Sequence, residues 1–143
     1  MNIFLCTDEA RLLSEEAFEV YSPCMYKPAF DDYEKKMRSY LADRNVKIYL
    51  CDDNGCTAGM LVTELSDGIL EIKGISVAEP YRKRGIGKGM ILFALDECGT
   101  DSIRAQTDGD AVGFYRSCGF TAERTVKEYP DGVCVRYDCY FVR

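Results

Sequence analysis

Tyr81-Arg82-Lys83-Arg84-Gly85-Ile86-Gly87-Lys88 sets three consecutive cations directly before two glycines spaced one residue apart. Gly89-Met90-Ile91-Leu92-Phe93-Ala94-Leu95 follows as a run that reads as a buried helix. Glycine lets the backbone approach a ligand closely and aim successive N–H groups at it, and the N-terminus of the next helix adds partial positive charge. The stretch therefore predicts an anion cradle of a size to hold a pyrophosphate. Two familiar phosphate loops fail, the first at two positions and the second at one. A P-loop needs Gly at 82 and Ser or Thr at 89, where this chain has Arg82 and Gly89; a dinucleotide fingerprint begun at Gly85 needs Gly or Ala where Met90 stands.

Leading into the cradle, Leu70 and Ile72 are apolar at even positions, then Ile75 and Val77 at odd ones, so the strand's alternation slips by one across Lys73-Gly74. A β-bulge produces that slip, as does a barrel corner or a kinked edge. A bulge also unpairs backbone groups and splays the strand from its neighbour.

Arg82, Gly85 and Gly87 fit an Arg/Gln-x-x-Gly-x-Gly/Ala pattern between a strand and a helix, which resembles the acetyl-CoA-binding motif of the GNAT superfamily of N-acyltransferases. A second stretch agrees: Ala111, Phe114, Tyr115, Gly119 and Phe120 match the family's A-x-x-F-Y-x-x-x-G-F signature. The family often has Asn shortly before that helix, and this chain has Thr107-Asp108. The resemblance covers nearly the whole chain. It implies an α/β (α+β) GNAT fold over residues 1–143, with one mixed, strongly twisted sheet of about seven strands, a bulged fourth strand and about four flanking helices.

Length and composition are consistent with a single domain. At 143 residues, with 47% hydrophobic and 29% charged residues, the chain can bury one substantial core. No apolar run approaches the roughly 20 residues needed to cross a membrane, and no basic start precedes an apolar segment, so a cytoplasmic protein is expected. The net charge of −6 argues against nucleic acid as a partner, whose affinity is built from cations. Eight cysteines and no histidine, with no C-x-x-C pair, make a metal site unexpected; most of the cysteines read as small buried hydrophobes.

Along the chain, Asn2 to Thr7 reads as a strand. Asp8 caps one helix whose apolar face is Leu12, Leu13, Ala17, Phe18 and Tyr21, ended at Ser22-Pro23. A second helix is expected over Asp31 to Asp43. Strands over 46–51, 56–65 and 69–78 are separated by Asp53-Asn54-Gly55 and Ser66-Asp67-Gly68. The cradle helix runs from Gly87 to Cys98 with Gly99 as its cap, then a strand over Ser102 to Thr107, parallel to the earlier one if the helix is a crossover. A short helix over Ala111 to Ser117 precedes a hairpin of strands 120–128 and 133–142, in which Val133, Val135, Tyr137, Cys139 and Phe141 mark the buried face.

The resemblance implies the site. Acetyl-CoA is the co-substrate, held by Ile75, Ser76 and Val77 on the bulged strand, by Arg82, Lys83, Arg84, Gly85, Ile86, Gly87 and Lys88 in the cradle, and by Asp108, Phe114 and Tyr115 beyond it. Tyr115 sits where the family has its usual general acid. A primary amine of pKa about 10.4 must lose a proton before it attacks, and without histidine the base is a carboxylate acting through water, a tyrosine or solvent. Glu71 is the choice, eleven residues before Arg82, a spacing that resembles the one used for the base in the histone-acetyltransferase branch, with Glu64 and Asp108 behind it; the competing reading is a solvent-facing strand residue paired with a neighbouring cation. Tyr26, Phe30, Tyr33 and Tyr129 are acceptor-side candidates, although an aromatic stripe at this spacing also suits a core. The acceptor is a small-molecule or peptide amine. A non-catalytic acyl-CoA sensor of the same fold is the alternative. Homodimers are common for the fold, and the C-terminal hairpin offers an edge for one.

Overall fold

The computed structural model describes residues 1–143. In chain order the elements are β1 (Asn2–Leu5), α1 (Glu9–Leu12), α2 (Glu15–Tyr21), α3 (Phe30–Ala42), β2 (Val46–Asp53), β3 (Cys56–Ser66), β4 (Ile69–Val77), α4 (Ile86–Cys98), β5 (Ser102–Thr107), α5 (Val112–Ser117), β6 (Thr121–Tyr129) and β7 (Gly132–Val142). Single 3₁₀ turns lie at Ser22–Cys24 and Glu79–Tyr81. The seven strands form one mixed sheet in the order β1-β2-β3-β4-β5-β7-β6, with β4 and β5 as its only parallel pair.

Strand alternation divides the core between two faces. On β2, Ile48 and Leu50 pack with Leu12, Tyr33 and Met37 under α1 to α3, while Tyr49 and Cys51 pack with Met90, Ile91 and Leu95 of α4. Helix α4 needs no charged face toward the sheet, because six of its residues are buried, and Gly99 ends it in the left-handed conformation at φ 64°.

The bulge lies where the alternation slips. Val62 of β3 pairs with Gly74 and Thr63 with Ile72, which leaves Lys73 as the extra residue. Gly74 is fixed by packing, since a Cβ there would collide with the hydroxyl of Tyr21, the buried last residue of α2. Beyond the bulge the sheet opens. β4 and β5 pair only through Ile69↔Ser102, Leu70↔Ile103 and Glu71↔Arg104, and then diverge.

Three expectations are corrected. The first helix is two, which gives five α-helices: the Ser14 hydroxyl accepts from the Ala17 N–H at 3.1 Å and caps α2, breaking the chain after Leu12. Val133 and Val135 are 67% and 36% exposed, because the β6–β7 hairpin runs past the short α5 that covers its base, through Cys139 and Phe141. Only Cys6, Cys51, Cys118 and Cys139 of the eight cysteines are buried; all eight are free thiols. No helix is long and apolar enough to cross a membrane, and no three Cys, Asp or Glu residues converge as a metal site.

Candidate active site

The cradle forms at the start of α4. Gly85 takes φ 77° and Lys83 φ 64°, left-handed values that turn the chain sharply from the Glu79–Tyr81 turn into the helix. The N–H groups of Gly85, Ile86, Gly87 and Lys88 make no hydrogen bond to the chain, and no side chain caps them. A Cβ at Gly87 would lie 2.7 Å from the Phe114 ring, so glycine is what lets α4 and α5 meet there. Arg82, Lys83, Arg84 and Lys88 are exposed around these donors. Arg82 Nε also donates to the Val77 carbonyl at 2.9 Å, and Arg84 stacks over the Tyr81 ring at 5.6 Å, so two of the four cations are held in place. Ile86 is buried and contributes its backbone alone.

From the cradle a slot runs down between β4 and β5. The carbonyls of Ile75 and Val77 take side-chain donors, the Cys24 thiol at 3.1 Å and the Arg82 guanidinium, in place of a strand partner on that side. Ser76 is buried and pairs with Met60 of β3. The inner slot is a cavity of about 320 Å³ walled by Ile72 to Ile75 on one side and by Gln106, Thr107, Asp108 and Ala111 on the other. Tyr115 and Cys24 close it from opposite faces of the sheet.

Tyr115 is 6% exposed, and its hydroxyl has no hydrogen-bond partner on the chain. Its ring is fixed edge-on between Phe114 and Phe120, at centroid distances of 5.2 and 5.3 Å. Burial pushes the phenol well above the ordinary tyrosine value, with a smaller push from the nearby Cys24 thiol. Cys24 is an exposed residue, but its thiol lies at the slot wall, where partial desolvation pushes it up to about 11 against a lowering by its bond to Ile75. Asp108 accepts from the N–H groups of Asp110 and Ala111 at 3.0 and 2.9 Å and so starts the turn into α5.

Glu71 stands apart from this cavity. It lines a neighbouring groove with Arg104, Asp138 and Tyr140, and the groove meets the slot at Gln106. Its Oε1 is 3.2 Å from Lys73 Nζ and its Oε2 3.4 Å from Arg104 Nε, and Lys73 also pairs with Glu64 at 3.2 Å. Of the acceptor-side aromatics, Tyr33 is fully buried and donates to the Leu12 carbonyl at 2.6 Å, so it presents no surface to a ligand. Phe30 packs on the same core, edge-on to Phe18. Tyr26 is 89% exposed beyond the Ser22–Cys24 turn, and Tyr129, 49% exposed, lies at the tip of the hairpin. Cys24, Gln106 and Arg136 line the slot without having been singled out by the sequence; only tertiary contact brings them there.

The model of the Acetyltransferase (GNAT) family matches residues 12–120. The chain belongs to the GNAT acetyltransferase family. Solved structures agree on the fold across almost the whole chain. The ribosomal-protein-S18-alanine N-acetyltransferase of Escherichia coli is 18% identical, with 99% of this chain and 94% of that one covered at a TM-score of 0.72. An aminoglycoside 6′-acetyltransferase type Ii is 15% identical, with 99% and 97% covered at 0.79. A Bacillus subtilis acetyltransferase in complex with CoA is 18% identical, with 99% and 98% covered at 0.68. No curated protein matches the sequence. The GNAT co-substrate fits the residues present: four adjacent N–H donors without acceptors suit a pyrophosphate, and an unpaired strand edge suits an extended arm of amides.

Proposed function

We propose that this GNAT protein is a single-domain N-acetyltransferase that moves an acetyl group from acetyl-CoA to the primary amine of a small molecule or peptide, by direct attack with both substrates bound. One observation carries the reading: the partnerless hydroxyl of a buried tyrosine, Tyr115, lines a slot whose other wall is the unpaired edge of β4. Two of the similar proteins, by name, acetylate an alanine of a ribosomal protein and an aminoglycoside, and both acceptors carry amines.

Acetyl-CoA, when bound, supplies a thioester whose carbonyl carbon takes the amine and whose sulfur leaves. The N–H groups from Gly85 to Lys88 hold its pyrophosphate, with Arg82, Lys83, Arg84 and Lys88 adding charge. The β4 edge from Ile75 to Val77 binds the pantetheine arm as an added strand, and its N–H groups face the oxygen on which negative charge gathers. Phe114 packs beside that arm, and Asp108 sets the turn that aims α5 at it. Tyr115 donates its proton toward the departing sulfur, and burial keeps that proton in place across neutral pH. The amine's proton passes to water in the open groove, with Glu71 as the carboxylate at its far end. Both Glu71 oxygens face cations, Lys73 and Arg104.

Incubation with acetyl-CoA and a panel of amines, with thiol release and acceptor mass followed together, is expected to give release that requires an acceptor and yields an acetylated amine. Binding of acetyl-CoA without release for any amine would sink the transferase reading in favour of an acyl-CoA sensor.

A further inference from the structure

The cations around the slot are not alike. Lys73 is neutralised by Glu64 and Glu71, and Arg104 of the adjoining groove by Glu71. Arg136 lines the same cavity as Tyr115 and Cys24, is half-buried, and has no carboxylate within ion-pair distance. Asp138, two residues along on the same face of β7, accepts from Gln106 through Oδ1 at 2.9 Å, and Asp108 accepts the turn's N–H groups through its own Oδ1; neither makes an ion pair with Arg136. Arg136 lies one residue past Tyr137↔Thr107, the last pair between β7 and β5, at the open end of the slot. A guanidinium stays charged at every accessible pH and offers a planar fork matched to a carboxylate, so a half-buried one without a counter-ion is a site for an anion that arrives with a ligand.

The acetyl-CoA phosphates are not that anion. Their cradle lies beyond Val77 at the start of α4, whereas Arg136 borders the inner cavity beside Ile72 to Ile75. A polycationic acceptor would leave Arg136 without a counter-ion, since Glu64 and Glu71 are already paired with Lys73 and Arg104 and only Asp108 and Asp138 near the slot lack a cation. We propose that the acceptor amine carries a carboxylate, as an α-amino acid does, and that Arg136 holds this carboxylate while the amine faces the Tyr115 end of the cavity. The proposal rests on the acetyltransferase reading above and specifies its acceptor.

The test compares free α-amino acids with their α-amides and with a polyamine, using acetyl-CoA, for the wild type and for Arg136→Gln and Arg136→Lys. The amide is intrinsically the less protonated amine, so the informative quantity is the wild-type to variant ratio for each acceptor. With Arg136→Gln the KM for acids is expected to rise about 10- to 100-fold, the loss of a charge-assisted pair, while kcat/KM for amides and KM for acetyl-CoA stay within about twofold. Arg136→Lys keeps the charge without the fork and is expected to recover part of the loss. Equal loss for acids and amides in both variants would mark a folding defect and overturn the assignment, as would an unmoved KM for acids. Acetylation of amides or polyamines but of no amino acid removes the proposal and leaves the transferase reading intact. Acetylation of neither group removes the proposal, and the transferase reading then falls only if the wider amine panel also gives no release.

Discussion

Tyr115→Phe is expected to lower kcat by about 10²- to 10³-fold while leaving KM for acetyl-CoA and the thermal midpoint nearly unchanged. The three readouts separate because the tyrosine has two roles. Its ring packs edge-on against Phe114 and Phe120 in the core, and phenylalanine keeps those contacts. Its hydroxyl bonds to nothing on the chain, so its removal leaves no partner stranded. Steady-state kinetics beside a melting curve checks this. A lower midpoint with proportional loss of all activity would make Tyr115 a packing residue. The pH profile adds a sign. Burial raises the phenol's pKa, so the acid stays protonated above the ordinary tyrosine value of about 10, and no alkaline loss of activity below that pH is assignable to Tyr115.

Gly74→Ala is expected to be the most damaging single-atom change in the molecule. The added Cβ would meet the Tyr21 hydroxyl and lie 2.7 and 2.8 Å from two ring carbons, and Tyr21 is 2% exposed with its ring against Tyr33. Overpacking of this kind costs about 1–3 kcal/mol, which for a domain of this length lowers the midpoint by several degrees. Gly74 also sits next to the unpaired Lys73, so relief by backbone movement narrows or shifts the slot, and acetyl-CoA affinity falls with stability. Gly113→Ala is the control. It sits in α5 with no heavy atom within 4 Å of the added carbon and is expected to be neutral or slightly stabilising. Chemical denaturation of both variants, with acetyl-CoA titrations, measures the pair. Equal behaviour of the two would show that the bulge does not need glycine.

The bulge and cradle were legible in the sequence because both are local. A slip in parity between Leu70–Ile72 and Ile75–Val77 admits few physical causes, and Gly85 and Gly99 mark left-handed turns that side chains resist. The motif around Phe114 and Tyr115 was legible through its resemblance to the family's A-x-x-F-Y-x-x-x-G-F signature, which Ala111, Phe114, Tyr115, Gly119 and Phe120 match. Glu71 shows the limit. Spacing along β4 placed it near the cradle with Lys73 two residues along the same strand, but only the β4–β5 register puts Arg104 against its other oxygen. Tyr33 shows the same limit, since helical spacing does not say whether a stripe faces a pocket or the core, and the contact with Leu12 decides it. Arg136 was hidden in an alternating strand whose apolar partners drew the attention. Cys24 reaches Ile75 across 51 residues of sequence, a contact without a local signature.

The most direct measurement is thermal unfolding with and without saturating acetyl-CoA, beside NAD and a plain adenine nucleotide. A ligand at about 100 times its dissociation constant adds about 2.7 kcal/mol to the folded state, which corresponds to a midpoint higher by about 5–10 °C for a domain of this length. A rise with acetyl-CoA that neither control reproduces is expected if the Gly85–Lys88 donors and the β4 edge form one co-substrate site. No rise, or an equal rise with NAD, would contradict it.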